Sequence, residues 1–497
     1  MEKPTMHMLS VQEKGGETRK ANQYIAAVAA AIGAVAAGTI LAWTSPANPQ
    51  LSPLELTNKT LNDTEVNVVD NVDDNNTVLI NSLGQPAAFL LSTTEMSLVS
   101  SILAIGAALA ALPVGVLTQK IGRRPTILIL AIPFTINWLL TIFANGAGML
   151  IAARFFAGLG TGGICVAAPM YIGEIAETSI RGSLGAFFQL FLTVGILFTY
   201  VVGGWTHWKI LSIICAVLPP LLVVVFWWMP ETPQYLLSKN RRRDAENSLR
   251  WLRGPDADLT AELEDMQKDV DDAARQSAGI LSMLTNRGPL MALIIGLGLM
   301  LFQQFSGINA VIFYTNDIFH SAGSNIPPVI ATIIVGVVQT IATYISSILV
   351  DKAGRRILLL QSCVVMGICL IILGIYFKLQ IDGYQVASLG WLPLLCMVLF
   401  IISFSMGLGP IPWMMMSELY PVEFRGGATG FTVIVNWVLV FIVTLCFPIM
   451  KTAIGIYSCF WFFAAFMLLC VFFVFFLIPE TKGKTVSQIQ AILAGKI

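Results

Sequence analysis

Stretches of about 20 predominantly apolar residues, each long enough as a helix to cross a hydrocarbon core of roughly 30 Å, recur along most of the chain. Polar turns separate them. An even number of such spans leaves both ends of the chain on one side of the membrane. The pattern predicts an all-α membrane protein with twelve transmembrane helices, at residues 24–44, 96–117, 126–145, 149–170, 184–204, 209–229, 290–315, 328–350, 357–377, 391–416, 428–448 and 455–478.

Two connections between the predicted spans are long. The first, residues 45–94, is acidic and carries glycosylation sequons at Asn58, Asn62 and Asn75, which predicts an extracellular loop. The second, residues 231–287, is highly charged and is predicted to be a cytoplasmic helical linker, with a solvated charged segment as the plainer alternative. The predicted order is a tail (1–23), a six-helix bundle (24–230), the linker, a second six-helix bundle (288–480) and a tail (481–497).

The distribution of charge predicts the orientation. The chain carries 29 basic and 29 acidic residues, so its net charge does not favour nucleic acid as a partner. With both termini inside, 24 of the 29 basic residues lie on the cytoplasmic side, as the positive-inside rule requires. The outer surface of the spans is then expected to contact the lipid bilayer, and the predicted location is the plasma membrane. The eight cysteines lie within spans without a CxxC pair, so no metal or cofactor is predicted.

Three short motifs of the first half return in the second half in the same order. They are separated by 232, 244 and 249 residues, which indicates two six-helix bundles related by an axis along the membrane normal. The motifs are Gly122-Arg123-Arg124 with Gly354-Arg355-Arg356, Glu174 and Arg181 with Glu418 and Arg425, and Pro230-Glu231-Thr232 with Pro479-Glu480-Thr481.

The repeated acids and bases lie near the inner ends of spans 2, 4, 8 and 10. A carboxylate near a membrane boundary is costly unless it is paired, and a guanidinium is a bidentate partner. We therefore predict two symmetric ion-pair clusters that hold the inner faces of the bundles together and open for release inward. Basic turns that only anchor the topology are the alternative.

Three amides interrupt the apolar seventh span, at Gln303, Gln304 and Asn309. On a continuous helix Gln304 and Asn309 would lie about 140° apart, so the three would occupy one broad face. Unpaired buried polar groups cost on the order of 1 to 3 kcal/mol each, so this face is predicted to look into a polar cavity. Amides both donate and accept hydrogen bonds, which suits a ligand rich in hydroxyls. A hydrogen bond between helices is the alternative for any single amide.

The run QQFSGINAVIFYT, residues 303–315, resembles the seventh-span motif of the sugar porters of the major facilitator superfamily. This group includes the facilitative glucose transporters. The run resembles the insect facilitated trehalose transporters even more closely. The resemblance implies the major facilitator fold, a small-molecule sugar as partner and transport by alternating access. The sugar-contacting positions that it implies are Gln189, Gln303, Gln304, Asn309, Gln339, Trp413 and Asn436.

The resemblance also implies a cytoplasmic gate built on the repeated motifs. Its members here are Arg123, Arg124, Glu174, Arg181, Asp351, Arg355, Arg356, Glu418 and Arg425. Gln119 stands where many members carry an aspartate or asparagine, so the first cluster is expected to be weaker than the second. In span 10, Gly409, Pro410 and Pro412 predict a broken helix that serves as an extracellular gate or hinge, with a static kink as the alternative.

Departures from the glucose-transporter pattern bear on the substrate and on coupling. Gln339, Ser405 and Val440 replace an asparagine, a glutamate and a second asparagine, which makes a disaccharide such as trehalose as plausible as glucose. Span 1 has no acidic residue, whereas proton-coupled relatives place an aspartate there within reach of an intramembrane cation that resembles Arg154. Uncoupled facilitated diffusion is therefore predicted, with proton symport as the alternative.

Two other classes of function fit less well. A sugar sensor would keep the fold, but such proteins generally carry a long cytoplasmic tail. The polar stretches at both ends of this sequence are short, so a sensor is not the expected function. A membrane-embedded enzyme would need a metal-binding acidic pair or a nucleophile and base, and all three histidines lie in loops or at span ends. The sequence therefore predicts a transporter and not an enzyme.

Overall fold

A computed structural model describes residues 20–53, 79–81, 86–177, 179–255, 259–275, 286–323, 326–421, 424–484 and 486–495. Within these residues lie twelve helical segments long and apolar enough to cross a membrane, as predicted. We number them spans 1 to 12: Ala21–Leu51, Thr93–Ile121, Arg123–Ile142, Ala147–Ile175, Ser183–Gly203, Trp208–Phe226, Arg287–Ala322, Pro328–Val350, Arg355–Ile381, Leu392–Leu419, Gly427–Ile454 and Ile456–Leu477.

Some spans consist of one helix and others of two consecutive helices. Spans 1, 3, 6, 7 and 10 are the double ones. The helices are α1 (Ala21–Ala42), α2 (Thr44–Leu51), α3 (Thr93–Ile121), α4 (Arg123–Ile129), α5 (Ala131–Ile142), α6 (Ala147–Ile175), α7 (Arg181–Gly203), α8 (Trp208–Cys215), α9 (Leu218–Phe226), α10 (Pro233–Ser238), α11 (Arg242–Arg253), α12 (Thr260–Arg275), α13 (Arg287–Gln304), α14 (Ile308–Ala322), α15 (Pro328–Ala353), α16 (Arg355–Ile381), α17 (Leu392–Met406), α18 (Ile411–Leu419), α19 (Arg425–Ile454), α20 (Ile456–Leu477) and α21 (Val486–Leu493).

Little of the described chain is extended. Two strands of two residues each, β1 (Leu79–Ile80) and β2 (Pro86–Ala87), pair antiparallel in the connection between spans 1 and 2. The register places Leu79 opposite Ala87. A short 3-10 helix, Ala387–Leu389, precedes span 10. The fold is therefore that of an all-α membrane protein, as predicted, with a minor hairpin in the long loop.

The spans form two six-helix bundles. In the first bundle, span 2 packs along span 4 and span 1 packs along span 5; in the second, span 9 packs along span 12. The bundles meet where span 2 lies against span 11, span 5 against span 8, and the α2 part of span 1 against α14 of span 7. Span 1 extends to Leu51 and not only to residue 44, because the segment after Trp43 is buried against span 7.

Close packing in the first bundle depends on small residues. Between spans 2 and 4, Gly106 and Gly158 face each other so closely that a Cβ on either would overlap backbone of the other helix. Small residues at such contacts let membrane helices approach, and association then gains van der Waals and hydrogen-bond energy. Span 1 uses alanines in the same way, and Ala30, Ala34 and Ala37 are fully buried.

The connection between spans 6 and 7 is a helical linker with its own small core. Helices α10, α11 and α12 bury Tyr235, Leu249 and Leu263 among themselves. Arg253 joins this layer to the first bundle: it is only 1% exposed, donates to the carbonyl oxygen of Ile175 at 2.9 Å and pairs with Glu262 at 2.6 Å. Helices α10 to α12 of the linker therefore form a folded layer docked on the first bundle, and not only a solvated charged segment. We call its side of the membrane the linker face, and the opposite side the loop face.

Two glycines of span 4 offer a matched test of this packing. Gly158→Ala should lower the thermal midpoint of the purified protein, because the new methyl group would overlap the carbonyl oxygen of Leu103, and overpacking typically costs 1 to 3 kcal/mol. Gly173→Ala adds the same methyl group to the same helix at a position where no described atom outside the local helix backbone lies within 4 Å, so it should leave the midpoint unchanged or raise it. Equal midpoints for the two variants would contradict the packing described here.

Candidate functional site

The first repeated cluster lies at the linker-face end of the first bundle. Arg123, at the start of span 3, donates from Nε and Nη2 to one carboxylate oxygen of Glu174 at 3.1 and 2.7 Å. Its Nη1 also donates to the carbonyl oxygen of Thr118 at 3.1 Å. The neighbouring Arg124 bonds the carbonyl oxygen of Trp227 and lies over that indole. These contacts hold the linker-face ends of spans 2, 3, 4 and 6 together.

The second bundle repeats the cluster in detail. Arg355 pairs with Glu418 at 3.1 Å through Nε and 3.0 Å through Nη2, and its Nη1 donates to the carbonyl oxygen of Val350 at 3.2 Å. Arg356 bonds the carbonyl oxygen of Phe475 and lies over its ring. Arg123, Arg124 and Glu174 therefore occupy positions equivalent to those of Arg355, Arg356 and Glu418.

The third repeated motif completes each cluster, a role that the sequence analysis did not assign. The Glu231 carboxylate accepts the backbone N–H groups of Arg123 and Arg124 at 3.1 and 3.2 Å, and Glu480 accepts those of Arg355 and Arg356 at 3.0 and 3.1 Å. Each glutamate thus binds the N-terminus of a helix, where unpaired N–H groups and the helix dipole favour a negative charge. The repeated Pro-Glu-Thr sequence is the pattern from which this role of the two glutamates could have been predicted.

Glycine at the turn makes this arrangement possible. Gly122 has φ +107° and Gly354 has φ +90°, a region that other residues rarely adopt. A Cβ on Gly122 would overlap the Glu231 carboxylate, and one on Gly354 would lie 2.8 Å from a carboxylate oxygen of Glu480. The Gly-Arg-Arg sequence therefore supplies the turn as well as the two cations.

The structure corrects the predicted latch in one respect. The ion pairs of Arg123 and Arg355 are made within a bundle and do not join the two bundles, because spans 2 to 4 and spans 8 to 10 are neighbours in the same bundle. The gating role of these residues stays a prediction. The side chains of Arg181, Asp351 and Arg425 lie outside what the structure describes.

The two clusters are not equally satisfied. In the second, the Thr481 hydroxyl donates to the free oxygen of Glu418 at 2.5 Å. In the first, the equivalent Thr232 hydroxyl and the second oxygen of Glu174 are buried without a hydrogen-bond partner among the described residues. The first cluster therefore has fewer hydrogen bonds than the second, and Gln119 led us to expect the first to be the weaker. The difference arises at Thr232, however, and not at Gln119.

The amides of span 7 meet in one network near the centre of the second bundle. Gln304 donates to the amide oxygen of Asn436 in span 11 at 2.6 Å and accepts from the amide nitrogen of Asn309. It also approaches the amide oxygen of Gln303 at 3.4 Å. We call Gln303, Gln304, Asn309 and Asn436 the amide network. Gln303, Gln304 and Asn436 are buried, and Asn309 is half-buried.

A break in span 7 brings these amides together. Helix α13 ends at Gln304 and α14 begins at Ile308, with Gly307 in the left-handed region at φ +85°. The prediction that the three amides lie on one continuous helix is therefore wrong, and the angles calculated from a helical period do not apply. The Ser306 hydroxyl donates to the carbonyl oxygen of Gln303 at 2.7 Å and so satisfies part of the broken backbone.

Gln303 also supports a second break, in span 10. Helix α17 ends at Met406 and α18 begins at Ile411, as the glycines and prolines of this segment predict. The Gln303 amide nitrogen donates to the carbonyl oxygens of Leu408 and Gly409 at 2.6 and 2.9 Å, which have lost their helical partners. Pro410 and Pro412 fall at the start of α18, where a missing N–H costs nothing. Whether Gly409, Pro410 and Pro412 act as a gate stays a prediction.

Three other predicted contact residues lie apart from this network. Gln189 in span 5 is half-buried, Gln339 in span 8 is buried, and Trp413 in span 10 is 37% exposed. Within the described residues they form no hydrogen bond with the amide network. Their amide and indole groups therefore remain available to a ligand, which is consistent with the predicted role but does not test it.

The bundles close against each other at the loop face, through residues that the sequence analysis missed. Tyr200 of span 5 donates to the carbonyl oxygen of Ile312 at 2.8 Å, and Thr44 of span 1 donates to that of Phe313 at 3.2 Å. The backbone N–H of Asn316 donates to the Ser45 hydroxyl at 3.2 Å. A cavity here measures only about 10 Å³. Isolated hydroxyls at span ends gave no signal strong enough to predict this closure.

Arg154 lies deep in the first bundle, in span 4. Its Nη1 donates to the carbonyl oxygen of Ile40 at 2.7 Å and its Nε to that of Val99 at 3.2 Å. The guanidinium carbon is 5.8 Å from the centre of the Trp43 ring. In the part of the chain that the structure describes, no carboxylate pairs with it.

Comparison with known proteins agrees with this architecture. The family described as Sugar (and other) transporter matches residues 53–493. The chain belongs to the sugar transporter family. Similar curated proteins include the facilitated trehalose transporters Tret1 of Drosophila yakuba and Drosophila erecta, which are 37% and 38% identical over 476 residues. These alignments cover 96% of the chain and 52% of each relative, so the chain spans about half the length of the curated relatives it matches.

Solved structures share the fold. The xylose transporter XylE from E. coli, in a partially occluded inward-open conformation, is 24% identical and matches 94% of this chain and 100% of its own with a TM-score of 0.74. The proton:xylose symporter XylE bound to 6-bromo-6-deoxy-D-glucose is 23% identical, with 95% and 99% covered and a TM-score of 0.71. The fold is therefore that of the major facilitator superfamily, as the sequence resemblance implied.

Family membership confirms the main expectations of the sequence analysis. The chain is a multi-pass membrane protein of a family of sugar transporters, and it is not an enzyme. A small-molecule sugar is the class of ligand that this family implies. The predicted glycosylation sites Asn58, Asn62 and Asn75 lie outside the described residues.

The two helix-binding glutamates differ in pKa. Burial raises the pKa of Glu231 even though the N–H groups of Thr232, Arg124 and Arg123 oppose the shift. Burial acts in the same direction at Glu480, but N–H groups that include those of Lys482 and Arg355 outweigh it, and its pKa falls below the ordinary value. The Glu480 charge therefore adds stability above about pH 4.5 that is lost below it, whereas Glu231 loses its contribution as pH rises through its higher pKa.

Isosteric variants test this difference. At pH 7.5, Glu480→Gln should lower the free energy of unfolding by about 1 kcal/mol through loss of charged hydrogen bonds, and Glu231→Gln should lower it less or raise it. The effect of Glu480→Gln should shrink toward pH 4.5. Thermal midpoints of the purified variants over this pH range measure both. A larger loss for Glu231→Gln at pH 7.5 would contradict the assignment.

Proposed function

We propose that the protein is a facilitative sugar transporter that works by alternating access, with trehalose as the favoured substrate and glucose as the alternative. The observation that carries this proposal is the buried amide network, found in a chain that belongs to the sugar transporter family. Its position between broken helices is typical of binding sites in transporters, which lie near the membrane centre where helices are discontinuous.

The chemistry of the network fits a polyhydroxylated ligand. Each amide offers both donors and acceptors, as each sugar hydroxyl does. Without ligand the amides bond one another, so their cost of burial is already met. A sugar can exchange these bonds for its own, which allows binding and release without leaving unpaired groups in the membrane. The exposed Trp413 indole can cover the apolar face of a sugar ring.

Trehalose is favoured over glucose on two grounds. Relatives at 37% to 38% identity are named as facilitated trehalose transporters. Ser405 and Val440 are smaller or less polar than the residues of the glucose-transporter pattern, and both are buried in the second bundle. A site with more room and fewer fixed polar groups suits a larger sugar.

The distribution of contacts supports alternating access. Hydrogen bonds join the two bundles at the loop face, whereas the ion-pair clusters at the linker face lie within each bundle. Each bundle can then rotate as a body about the interface formed by spans 2, 5, 8 and 11. The linker stays with the first bundle through Arg253 during such a motion.

Uncoupled transport is supported by the surroundings of Arg154. A proton symporter needs an intramembrane group that gains and loses a proton during the cycle. Arg154 donates hydrogen bonds to backbone carbonyl oxygens, and span 1 has no acidic side chain that could carry the proton. Proton symport remains the second candidate, because XylE is named as a proton:xylose symporter.

The proposed location is the plasma membrane, with both termini and the linker in the cytoplasm. The linker face carries the Arg-rich turns and the basic residues of α11, as the positive-inside rule requires of a cytoplasmic face. The loop with the predicted sequons then faces outward.

Substitution of the central amide tests the proposal. Gln304→Ala in liposomes that contain the purified full chain should reduce uptake of labelled trehalose at low concentration by about tenfold or more, because hydrogen bonds of about 1 to 3 kcal/mol are lost. Labelled glucose in parallel identifies the preferred sugar.

A glutamine of span 9 provides the control. Gln380 donates to the carbonyl oxygens of Ser321 and Ala322 near the loop face, away from the amide network. Gln380→Ala should retain uptake. Wild-type protein that moves neither sugar, or a Gln304→Ala variant as active as Gln380→Ala, would contradict the proposed function.

A further inference from the structure

Span 7 has a second irregularity, nearer to the loop face than the break at Gly307. Within α14, Tyr314 has φ −124° and ψ 20°, which are not helical values, so the helix is kinked there. In a regular α-helix the carbonyl oxygen of Ile312 accepts from the N–H of Asn316, four residues farther along. The kink lies between these two groups, within the turn that this hydrogen bond would close.

Both groups have a hydrogen-bond partner in the first bundle. The Tyr200 hydroxyl of span 5 donates to the carbonyl oxygen of Ile312 at 2.8 Å and lies 3.3 Å from the hydroxyl of Thr315. The N–H of Asn316 donates to the hydroxyl of Ser45 in span 1 at 3.2 Å. The first bundle thus supplies one donor and one acceptor, which are the two kinds of group that a regular helix would itself provide at this turn.

Glycines of the contact between spans 5 and 8 allow Tyr200 to reach span 7. The tyrosine is 2% exposed, and a Cβ on Gly336 of span 8 would lie 2.9 Å from its Cδ2 atom. Just after span 5, a Cβ on Gly204 would lie 2.3 Å from a methyl carbon of Val329 in span 8. Because glycine stands at both positions, the loop-face end of span 5 packs closely on the second bundle and places the tyrosine hydroxyl at the kink.

We propose that Tyr200 is a positioning residue that sets the balance between the closed and the open loop face. Its hydroxyl stabilises the kinked form of span 7 while the bundles are in contact. When the bundles part, Ile312 and Asn316 pair with each other and the kink straightens. The same backbone groups then have partners in both states, so neither state leaves them unpaired in the membrane. This role rests on the alternating access proposed above, and it does not depend on which sugar is carried.

A tyrosine of span 9 provides a matched control. The Tyr376 hydroxyl donates to the carbonyl oxygen of Ala322, in the same helix α14, at 3.0 Å, and this tyrosine is also 2% exposed. Spans 7 and 9 belong to the same bundle, so parting of the bundles does not break this hydrogen bond. Tyr200→Phe and Tyr376→Phe each remove one buried hydroxyl and keep the ring, but only Tyr200→Phe should change the loop face.

Labelling of an engineered thiol measures opening of the loop face. Thr332 of span 8 lines the small cavity between the bundles and is 4% exposed, so a thiol introduced by Thr332→Cys should react with a polar maleimide only when this face opens. In the purified full chain in detergent, Tyr200→Phe should raise the labelling rate about fivefold, which corresponds to one hydrogen bond of about 1 kcal/mol. Ser45→Ala should also raise it, because Asn316 loses its partner in the first bundle.

Tyr376→Phe should leave the labelling rate unchanged. Each background without Thr332→Cys supplies the baseline for the native cysteines. An unchanged rate in Tyr200→Phe, an equal increase in Tyr376→Phe, or a slower rate in Ser45→Ala would overturn the proposal. The labelling uses no sugar, so a chain that transports neither trehalose nor glucose fails the proposed function and leaves this test intact. Unchanged labelling in a chain that does transport sugar rejects only the role of Tyr200.

Discussion

The hydrogen bonds from Gln303 to the carbonyl oxygens of Leu408 and Gly409 support the centre of the second bundle. Hydrocarbon offers no partner to a free backbone group, so a membrane helix can break only where the protein supplies one. Here the break in span 10 depends on the side chain of Gln303 in span 7, and span 7 is itself broken between Gln304 and Ile308. The amides that satisfy these breaks are the same groups that can meet sugar hydroxyls. Broken helices and binding chemistry therefore share one set of residues.

The ends of the spans follow a different rule. Each bundle is closed at the linker face by an arginine, a carboxylate of a neighbouring span and a glutamate that binds a helix N-terminus. These contacts stay inside a bundle, while hydroxyls and carbonyl oxygens join the bundles at the loop face. Strong ionic contacts thus keep each bundle rigid, and weaker neutral contacts hold the interface that must open and close. Such a division suits rigid-body motion between two states.

Composition and repetition were enough to predict the architecture. Twelve apolar spans, the two bundles and the repeated Gly-Arg-Arg turns could all be read from the chain, because span length and sequence repeats are local properties. Contacts that depend on the path of the chain could not. The break at Gly307, with φ +85°, brings Gln304 and Asn309 into a direct hydrogen bond, whereas on a continuous helix they would lie about 140° apart. The burial of Arg253 likewise depends on how the linker docks, which its charged sequence does not specify.

Passive movement of sugar links two features, the amide network and a buried arginine that pairs with no carboxylate among the described residues. The most direct measurement is the distribution of labelled trehalose across liposomes containing the purified full chain, with and without an imposed proton gradient. Facilitated diffusion predicts that the internal concentration rises to the external value and stops there in both conditions. Accumulation above the external concentration only in the presence of the gradient would contradict this account.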